Sequence, residues 1–268
     1  MSRLVVCPTP IGNLEDVTLR VLAALRDADV IACEDTRHTR ILLERYGVQA
    51  PLVSYHEHNE PQRAAQLVER MRAGEVVALV SDAGMPLVSD PGHVLVQACI
   101  AAGLGVEVLP GPSAAVTALV ASGLPGDAWR FVGFLPRKKG ALTALFGARE
   151  TVVAFESPRR VAASLAALAE VDADRPVAVC RELTKLHEEI ARGTAGELAS
   201  RYSAEAPRGE VVLVIGAAPA PDAAAPEEAV AAVRALIGAG ARARPAAQVV
   251  AELTGASANA LYKAAALR

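Results

Sequence analysis

The sequence predicts an α/β protein made of two α/β domains and a small C-terminal helical module. In residues 1–123, short β-branched runs alternate with segments that carry apolar residues at i, i+3 and i+4, which is typical of a largely parallel sheet covered by helices. A second set of strand-like runs follows in residues 124–216. Residues 217–226 form an Ala/Pro linker without apolar periodicity, and residues 227–268 show helical periodicity.

The first domain is expected to contain five strands, at residues 4–7, 30–33, 52–55, 76–80 and 106–109. Residues that favour helix N-caps precede the helical segments, namely Asp16, Asn59, Asp90 and Ser113. Glycines that favour helix ends follow the helical segments, namely Gly47, Gly74, Gly103 and Gly123.

The second domain is expected to contain four strands, at residues 130–134, 151–155, 177–181 and 210–215. A helix is expected to begin at Ser157 and Pro158, between the second and third of them. After the linker, short helices are expected at residues 227–237 and within residues 246–267. Gly255 gives this tail a helix-turn-helix-like outline.

The composition excludes several classes of protein. With 52% apolar residues and a mean hydropathy of +0.29, the 268-residue chain can bury a substantial core, so it is neither disordered nor fibrous. Its apolar runs are far shorter than the roughly 20 residues that span a bilayer. Residues 1–3 lead directly into a strand, so no signal peptide is expected. The four cysteines lie far apart without C-x-x-C spacing, which predicts buried, reduced thiols in a cytoplasmic protein.

The turns after the five strands of the first domain are rich in small and polar residues. Ligands of parallel α/β sheets bind at the carboxyl ends of the strands, where these turns lie. Each turn alone is typical of an ordinary connection, but five on one edge favour a ligand cleft. The turns are Pro8-Thr9-Pro10-Ile11-Gly12-Asn13-Leu14, Glu34-Asp35-Thr36-Arg37, His56-Glu57-His58-Asn59-Glu60, Ser81-Asp82-Ala83-Gly84-Met85-Pro86 and Pro110-Gly111-Pro112-Ser113-Ala114. The G-x-G-x-x-G of a Rossmann dinucleotide site and the G-K-[ST] of a P-loop are both missing.

The third of these turns carries His56 and His58 with Glu57 and Glu60, which are residue types that bind zinc. Two histidines at i and i+2 without a third ligand are weak support for a metal. A helix start capped by Asn59 accounts for the same residues. We therefore expect no metal, while polar contacts to a substrate stay open.

A basic segment interrupts an otherwise acidic chain. Residues 129–160 contain seven basic and two acidic residues, a balance of +5 that leaves −8 for the rest of a chain whose net charge is −3. Such a segment is either a solvated surface or a contact for the phosphates of RNA, and its charge alone does not decide between them.

The order and spacing of eight motifs resemble one enzyme family, the bacterial 16S ribosomal RNA cytidine 2'-O-methyltransferases that modify the decoding centre. This family is part of the tetrapyrrole-methylase-like superfamily of S-adenosylmethionine enzymes. The motifs are Thr9-Pro10-Ile11-Gly12-Asn13-Leu14, Glu34-Asp35-Thr36-Arg37, His56-Glu57-His58-Asn59-Glu60, Ser81-Asp82-Ala83-Gly84, Ser89-Asp90-Pro91-Gly92, Pro110-Gly111-Pro112-Ser113-Ala114, Gly133-Phe134-Leu135-Pro136 and Arg181-Glu182-Leu183-Thr184-Lys185. The chain departs from the family at Met85, where threonine is usual, at Cys33, where alanine is usual, and in Phe155-Glu156-Ser157-Pro158-Arg159.

The resemblance implies S-adenosylmethionine in a cleft between two domains of the tetrapyrrole methylase type. The implied cofactor-binding residues are Pro10, Ile11, Asp82, Ala83, Gly84, Ser113, Ala114, Phe155 and Cys180. Candidates for the group that assists a ribose hydroxyl are Glu34, His56, Glu182 and Lys185, although a structural role is favoured for each one. Candidate RNA contacts are Arg37, Arg137, Lys138 and Lys139. The expected partners are 16S ribosomal RNA or the small ribosomal subunit and a second copy of the chain, with no membrane.

Two other functions remain open from the sequence. A corrinoid or porphyrin methyltransferase shares the superfamily fold, and fold does not decide the substrate. A ligand-sensing DNA-binding regulator fits the outline of the tail. From residue 219 onwards, however, the tail carries five basic and four acidic residues, a poor balance for binding duplex DNA.

Overall fold

The computed structural model describes residues 2–219 and 226–266 of the chain. The chain divides into two compact units, one up to Ala217 and one from Ala218 onwards. Within the described residues, no helix is long and apolar enough to cross a membrane.

The first unit contains two five-stranded sheets. The strands of the first sheet are β1 (Arg3–Cys7), β2 (Val30–Cys33), β3 (Leu52–Ser54), β4 (Val76–Val80) and β5 (Gly105–Val108). They are all parallel and lie in the order β3-β2-β4-β1-β5. All five expected strands are present, each within one residue of its expected ends.

The connecting helices are α1 (Leu19–Asp27), α2 (Thr36–Arg45), α3 (Glu60–Arg72) and α4 (His93–Ala101). Alternate strand residues face opposite sides of the sheet: Val5 and Ile31 pack with α1 and α2, whereas Leu4 and Ala32 pack with α3 and α4. Because both faces are buried, as in other parallel sheets, the turns at the strand ends are left to bind ligands.

The second sheet is formed by β6 (Trp129–Phe134), β7 (Thr151–Glu156), β8 (Pro176–Arg181), β9 (Glu189–Thr194) and β10 (Val211–Ile215). Its order is β6-β7-β10-β8-β9, with β6 and β7 parallel and the other pairs antiparallel. The four expected strands are confirmed, and β9 is an additional edge strand that the sequence analysis did not predict.

The second sheet is covered on one face by α6 (Lys139–Phe146), α7 (Val161–Val171) and α8 (Ala195–Ala204), and on the other by α5 (Ala114–Ser122). Ala118 of α5 and Ile11 of the loop after β1 share one apolar cluster with Val153 and Cys180 of the second sheet. This cluster brings the turns of the first sheet against the second sheet.

The helix starts agree only in part with the sequence analysis. Ser113 caps α5 as expected, since its side chain accepts a hydrogen bond from the N–H of Val116. The expected cap at Asp16 is wrong, because Thr18 caps α1 and Asp16 ends a short 3-10 helix, Leu14–Asp16. The expected cap at Asp90 is also wrong, because α4 begins at His93, after Gly92.

The second unit contains α9 (Glu227–Gly238), α10 (Ala243–Thr254) and α11 (Ala258–Ala266). These helices share a small core that includes Val233, Val250 and Leu261, and the left-handed Gly255 ends α10. Most of the expected linker, residues 220–225, lies outside the described residues. The domain limits 1–123, 124–216, 217–226 and 227–268 stay a prediction.

Candidate active site

The main cavity of the first unit lies where the turns of the first sheet meet the second sheet, and it has a volume of about 330 Å³. This volume falls within the range of small-molecule sites, about 300 to 1,000 Å³. Most of the expected cofactor-binding residues line it, namely Ile11, Ala83, Gly84, Ser113, Ala114, Phe155 and Cys180. Burial raises the pKa of the Cys180 thiol to about 11, so this thiol is a neutral part of the wall.

A second cavity, of about 340 Å³, contains the other two expected cofactor residues, Pro10 and Asp82, in its wall. The two cavities adjoin, because Ile11, Ala83 and Glu210 line both. All nine expected cofactor residues therefore line these two adjoining cavities.

Backbone hydrogen bonds fix the turn at residues 81–84. The N–H of Thr9 donates to the Gly84 oxygen over 2.8 Å, and the N–H of Gly84 donates to the Thr9 oxygen over 3.0 Å. The Ser81 hydroxyl donates to the same Gly84 oxygen over 3.1 Å. Gly84 has φ +79°, and a Cβ there would lie 3.3 Å from Cγ2 of Ile11, so glycine keeps this wall open.

Three carboxylates interact electrostatically: Glu34 directly after β2, Asp82 after β4, and Asp90 in the loop between β4 and α4. The pKa of Asp90 is raised to about 6, mainly by burial and also by the charges of Glu34 and Asp82. Burial, followed by the charges of Asp82 and Glu57, also raises the pKa of Glu34. Asp82 is additionally oriented by α2, since it accepts a hydrogen bond from the N–H of Asp35 over 3.1 Å.

Asp90 lines the main cavity and was missed as a site residue by the sequence analysis. It was missed because it was expected to cap α4. Its place in the Ser89-Asp90-Pro91-Gly92 motif could have marked it as a candidate site residue. In the structure this motif is a loop with left-handed backbone at Leu87 (φ 71°) and Ser89 (φ 67°), and non-glycine residues in that conformation are often found at functional sites.

His56 lies at the end of β3, where the start of α3 fixes its position. Its N–H donates to the side-chain oxygen of Asn59 over 3.0 Å, and its Nε2 is 3.2 Å from the Asn59 side-chain nitrogen. Nδ1 of His56 is buried and has no hydrogen-bond partner among the described residues. Among all the residues that the structure describes, no group of three or more His, Cys, Asp or Glu residues is arranged to bind a metal ion.

Glu182 and Lys185 form an ion pair at the edge of the second cavity. Nζ of Lys185 donates to Glu182 over 3.0 Å and to Glu210 over 2.8 Å. Burial lowers the pKa of Lys185, but hydrogen bonds with Glu210 and Glu182 outweigh that effect and raise it. A hydrogen bond from the N–H of Glu210 lowers the pKa of Glu182. Burial opposes this effect, and Lys185 adds to it. Gly209, with φ +81°, is required here because a Cβ would lie 2.1 Å from Oε1 of Glu182.

The candidate RNA contacts differ in how freely they are exposed. Arg37 forms a two-pronged ion pair with Asp35, at 3.1 Å and 2.7 Å. Lys139 is the first residue of α6 and pairs with Glu170 over 3.2 Å. Arg137 and Lys138 are exposed, and neither forms an ion pair with any residue that the structure describes.

Comparison with known proteins decides the family. Residues 3–199 match the family model described as Tetrapyrrole (Corrin/Porphyrin) Methylases. The chain belongs to this methylase family. It is therefore a methyltransferase, and the fold expected from the motif resemblance is confirmed.

The relatives of this methyltransferase include a protein from Mesorhizobium japonicum that is 50% identical over 218 residues, covering 79% of this chain and 74% of the relative. A protein from Micromonospora olivasterospora is 47% identical over 268 residues, covering 97% of this chain and 85% of the relative. Both are named ribosomal RNA small subunit methyltransferase I. A solved structure, uroporphyrin-III C-methyl transferase from Thermus thermophilus complexed with S-adenyl homocysteine, has a TM-score of 0.57 at 20% identity and covers 80% of this chain and 97% of its own.

Proposed function

We propose that this methyltransferase uses S-adenosylmethionine to methylate the 2'-oxygen of a cytidine in the decoding centre of 16S ribosomal RNA. The names of the two relatives support the ribosomal substrate. The motifs quoted in the sequence analysis support the cytidine and its ribose oxygen. The observation that carries the proposal is a cavity of cofactor size whose wall at Phe134 leads directly to exposed Arg137 and Lys138.

S-adenosylmethionine is the cofactor, which the methylase family of the chain and its methyltransferase relatives support. When bound, it supplies a methyl group on a positively charged sulfur that an oxygen nucleophile can attack. Ile11 and Phe155 provide an apolar wall for a nucleoside, and the small residues Gly84 and Ala114 allow it to approach the backbone. Asp82, oriented by the N–H of Asp35, is suited to a ligand hydroxyl or amino group.

The attacking hydroxyl has to lose its proton, and we assign Asp90 as the acceptor. Asp90 lines the main cavity, and its pKa of about 6 leaves it ionised at neutral pH while making it a stronger base than an ordinary aspartate. Glu34 and His56 remain candidates at neighbouring strand ends. Glu182 and Lys185 neutralise each other, which suits positioning better than proton transfer.

The RNA backbone is expected to contact the exposed cations beside the main cavity, Arg137, Lys138 and the exposed Arg159. Arg37 and Lys139 also remain candidates. Each would have to exchange an acidic partner, Asp35 or Glu170, for a phosphate, which reduces the expected gain in affinity.

The remaining proposals concern assembly and place of action. We propose a homodimer that acts in the cytoplasm on 16S ribosomal RNA or on the small subunit, with two α/β domains at 1–123 and 124–216 and a helical module at 227–268. Light scattering at micromolar concentration should give twice the mass of the 27.7 kDa chain. A monomer mass would reject the dimer without affecting the catalytic proposal.

The other two functions are less well supported. The likeness to uroporphyrin-III C-methyl transferase at 20% identity concerns the fold alone. The relative from Micromonospora olivasterospora covers 97% of this chain, so the match includes most of the tail that suggested a DNA-binding regulator.

The direct test is methyl transfer to small ribosomal subunits isolated from a strain that lacks the modification, with deproteinised 16S ribosomal RNA as the parallel substrate. After digestion to nucleosides, mass spectrometry should find one new 2'-O-methylcytidine. A methyl group on a base, or none on either substrate, would reject the proposal. The ratio of transfer to the two substrates would tell whether the enzyme needs the assembled subunit.

A further inference from the structure

Phe134 is a large aromatic side chain with 60% of its surface exposed, and it lines the main cavity. The chain has four phenylalanines, and the other three are buried or half-buried. An exposed aromatic ring at the wall of a cavity is typical of a binding surface rather than of a core.

A β-bulge gives the ring its direction. Phe131 pairs with Val153 and Phe134 pairs with Phe155, so three steps along β6 match two steps along β7. Residues three apart on a regular strand point to opposite faces, but the extra residue turns Phe131 and Phe134 to the same face. Gly133, inside the bulge, has the left-handed backbone (φ 65°) that this geometry requires.

The ring is also supported from behind. The ring centroids of Phe134 and Phe155 are 5.7 Å apart in an edge-to-face arrangement, and those of Phe155 and Phe131 are 4.9 Å apart. The N–H of the next residue, Leu135, donates to the Phe155 oxygen over 3.0 Å. Arg160 donates to the oxygen of Pro136 over 3.1 Å. Phe134 is thus held in place while most of its ring faces solvent.

The neighbouring charge indicates the kind of ligand. Exposed Arg137 and Lys138 follow Phe134 within four residues, whereas Asp90 and seven of the nine expected cofactor residues lie in the same cavity wall. Proteins hold an unstacked nucleobase by combining an aromatic face with cations that contact the phosphates. A nucleotide whose base is unstacked and held on an aromatic side chain can present its ribose oxygen to a methyl donor inside a cavity.

We infer that Phe134 stacks on the base of the target nucleotide and so presents its ribose to the cavity. This inference rests on the proposed function and adds the residue that receives the base. Arg137 and Lys138 then contact the flanking phosphates. Because a stacking ring accepts any base, Phe134 positions the nucleotide and does not by itself select cytosine.

The test uses the full chain and small subunits that lack the modification. Phe134→Leu keeps an apolar side chain but removes the aromatic face, and Phe134→Trp restores one. We expect Phe134→Leu to lower kcat/KM for subunits by about tenfold or more, mainly through KM, and Phe134→Trp to recover most of it. The affinity for S-adenosylmethionine, measured by calorimetry, should be unchanged in both.

The matched control is Trp129→Leu, which removes an exposed aromatic residue at the opposite end of β6, away from the cavity. It should leave both kcat/KM and cofactor affinity unchanged. Wild-type kinetics in Phe134→Leu would overturn the inference while leaving the proposed function intact. Loss of cofactor affinity with an unchanged KM for subunits would make Phe134 a cofactor wall instead. No transfer by the wild-type protein would reject the proposed function and this inference with it.

Discussion

The two sheets of the first unit contribute different chemistry to one cleft. The first sheet contributes turns fixed by backbone hydrogen bonds, with the carboxylates Asp82 and Asp90. The second contributes Phe134 on the bulged edge strand β6, followed by exposed cations. We propose from this difference that the first sheet mainly orients the cofactor and the reacting oxygen, and that the second sheet mainly receives the RNA.

The largest expected effect concerns the support of the second sheet. Glu156 is fully buried and accepts hydrogen bonds from Ser164 over 2.6 Å and from the N–H of Ser157 over 2.7 Å, with Arg160 at 3.3 Å as its cationic partner. Arg160→Met should therefore lower the free energy of unfolding by about 3 kcal/mol, because it leaves a buried carboxylate without its cation. Urea denaturation measures this change.

Arg159→Met is the matched control for that change, since Arg159 is the exposed neighbour. It should change the free energy of unfolding by less than about 0.5 kcal/mol. Equal effects of the two substitutions would show that the Glu156 and Arg160 pair does not stabilise the second sheet.

The next effect tests the cofactor side of the comparison. Asp82→Ala should weaken S-adenosylmethionine binding by about tenfold or more, because a charged hydrogen-bond acceptor in the cleft is lost. Asp82→Asn keeps an acceptor for the N–H of Asp35 and isolates the effect of the charge. Calorimetric affinity equal to that of the wild type in Asp82→Ala would contradict the assigned cleft.

A smaller effect tests the RNA side. The double variant Arg137→Ala, Lys138→Ala should weaken RNA binding and reduce the slope of log affinity against log salt by about one unit for each lost phosphate contact. Lys139→Ala should reduce it less, because Lys139 pairs with Glu170. Filter binding over a range of salt concentrations measures the slopes. If the double variant keeps the wild-type slope, the RNA lies elsewhere on the chain.

The smallest effect concerns Asp90 and pH. The folded protein binds the Asp90 proton more tightly than the unfolded chain, because the pKa of Asp90 is raised from 3.8 to about 6. Ionisation of Asp90 therefore lowers stability as the pH rises through this range. Solvent screening limits the change to about 1 kcal/mol between about pH 4 and pH 8, and Asp90→Asn should remove it. Urea denaturation at both pH values measures the free energy of unfolding. If its pH dependence is the same in Asp90→Asn as in the wild type, Asp90 is not the group responsible.

The first sheet could be predicted almost completely from the sequence, and the second only in part. Runs such as Val76–Val80 are buried and β-branched and lie between clear turns, so their ends are visible. The edge strand β9, Glu189–Thr194, is only partly buried and has a mixed composition, which gives no strand signal. The insertion of β10 between β7 and β8 depends on long-range pairing, which no local pattern encodes.

The candidate site could likewise be predicted only in part. Residues in turns at strand ends, such as Ile11 and Gly84, could be placed in the cleft because parallel strands share one edge. The partners of charged residues could not be predicted. Lys139 pairs with Glu170 of α7, and Lys185, after β8, pairs with Glu210, just before β10. These contacts depend on tertiary packing.

Steady-state methyl transfer with each substrate varied in turn tests the division of the cleft most directly. We expect Asp82→Ala to raise KM for S-adenosylmethionine and to leave KM for small subunits near the wild-type value, and Phe134→Leu to do the reverse. If both variants raise the same KM, the two sheets do not serve separate substrates.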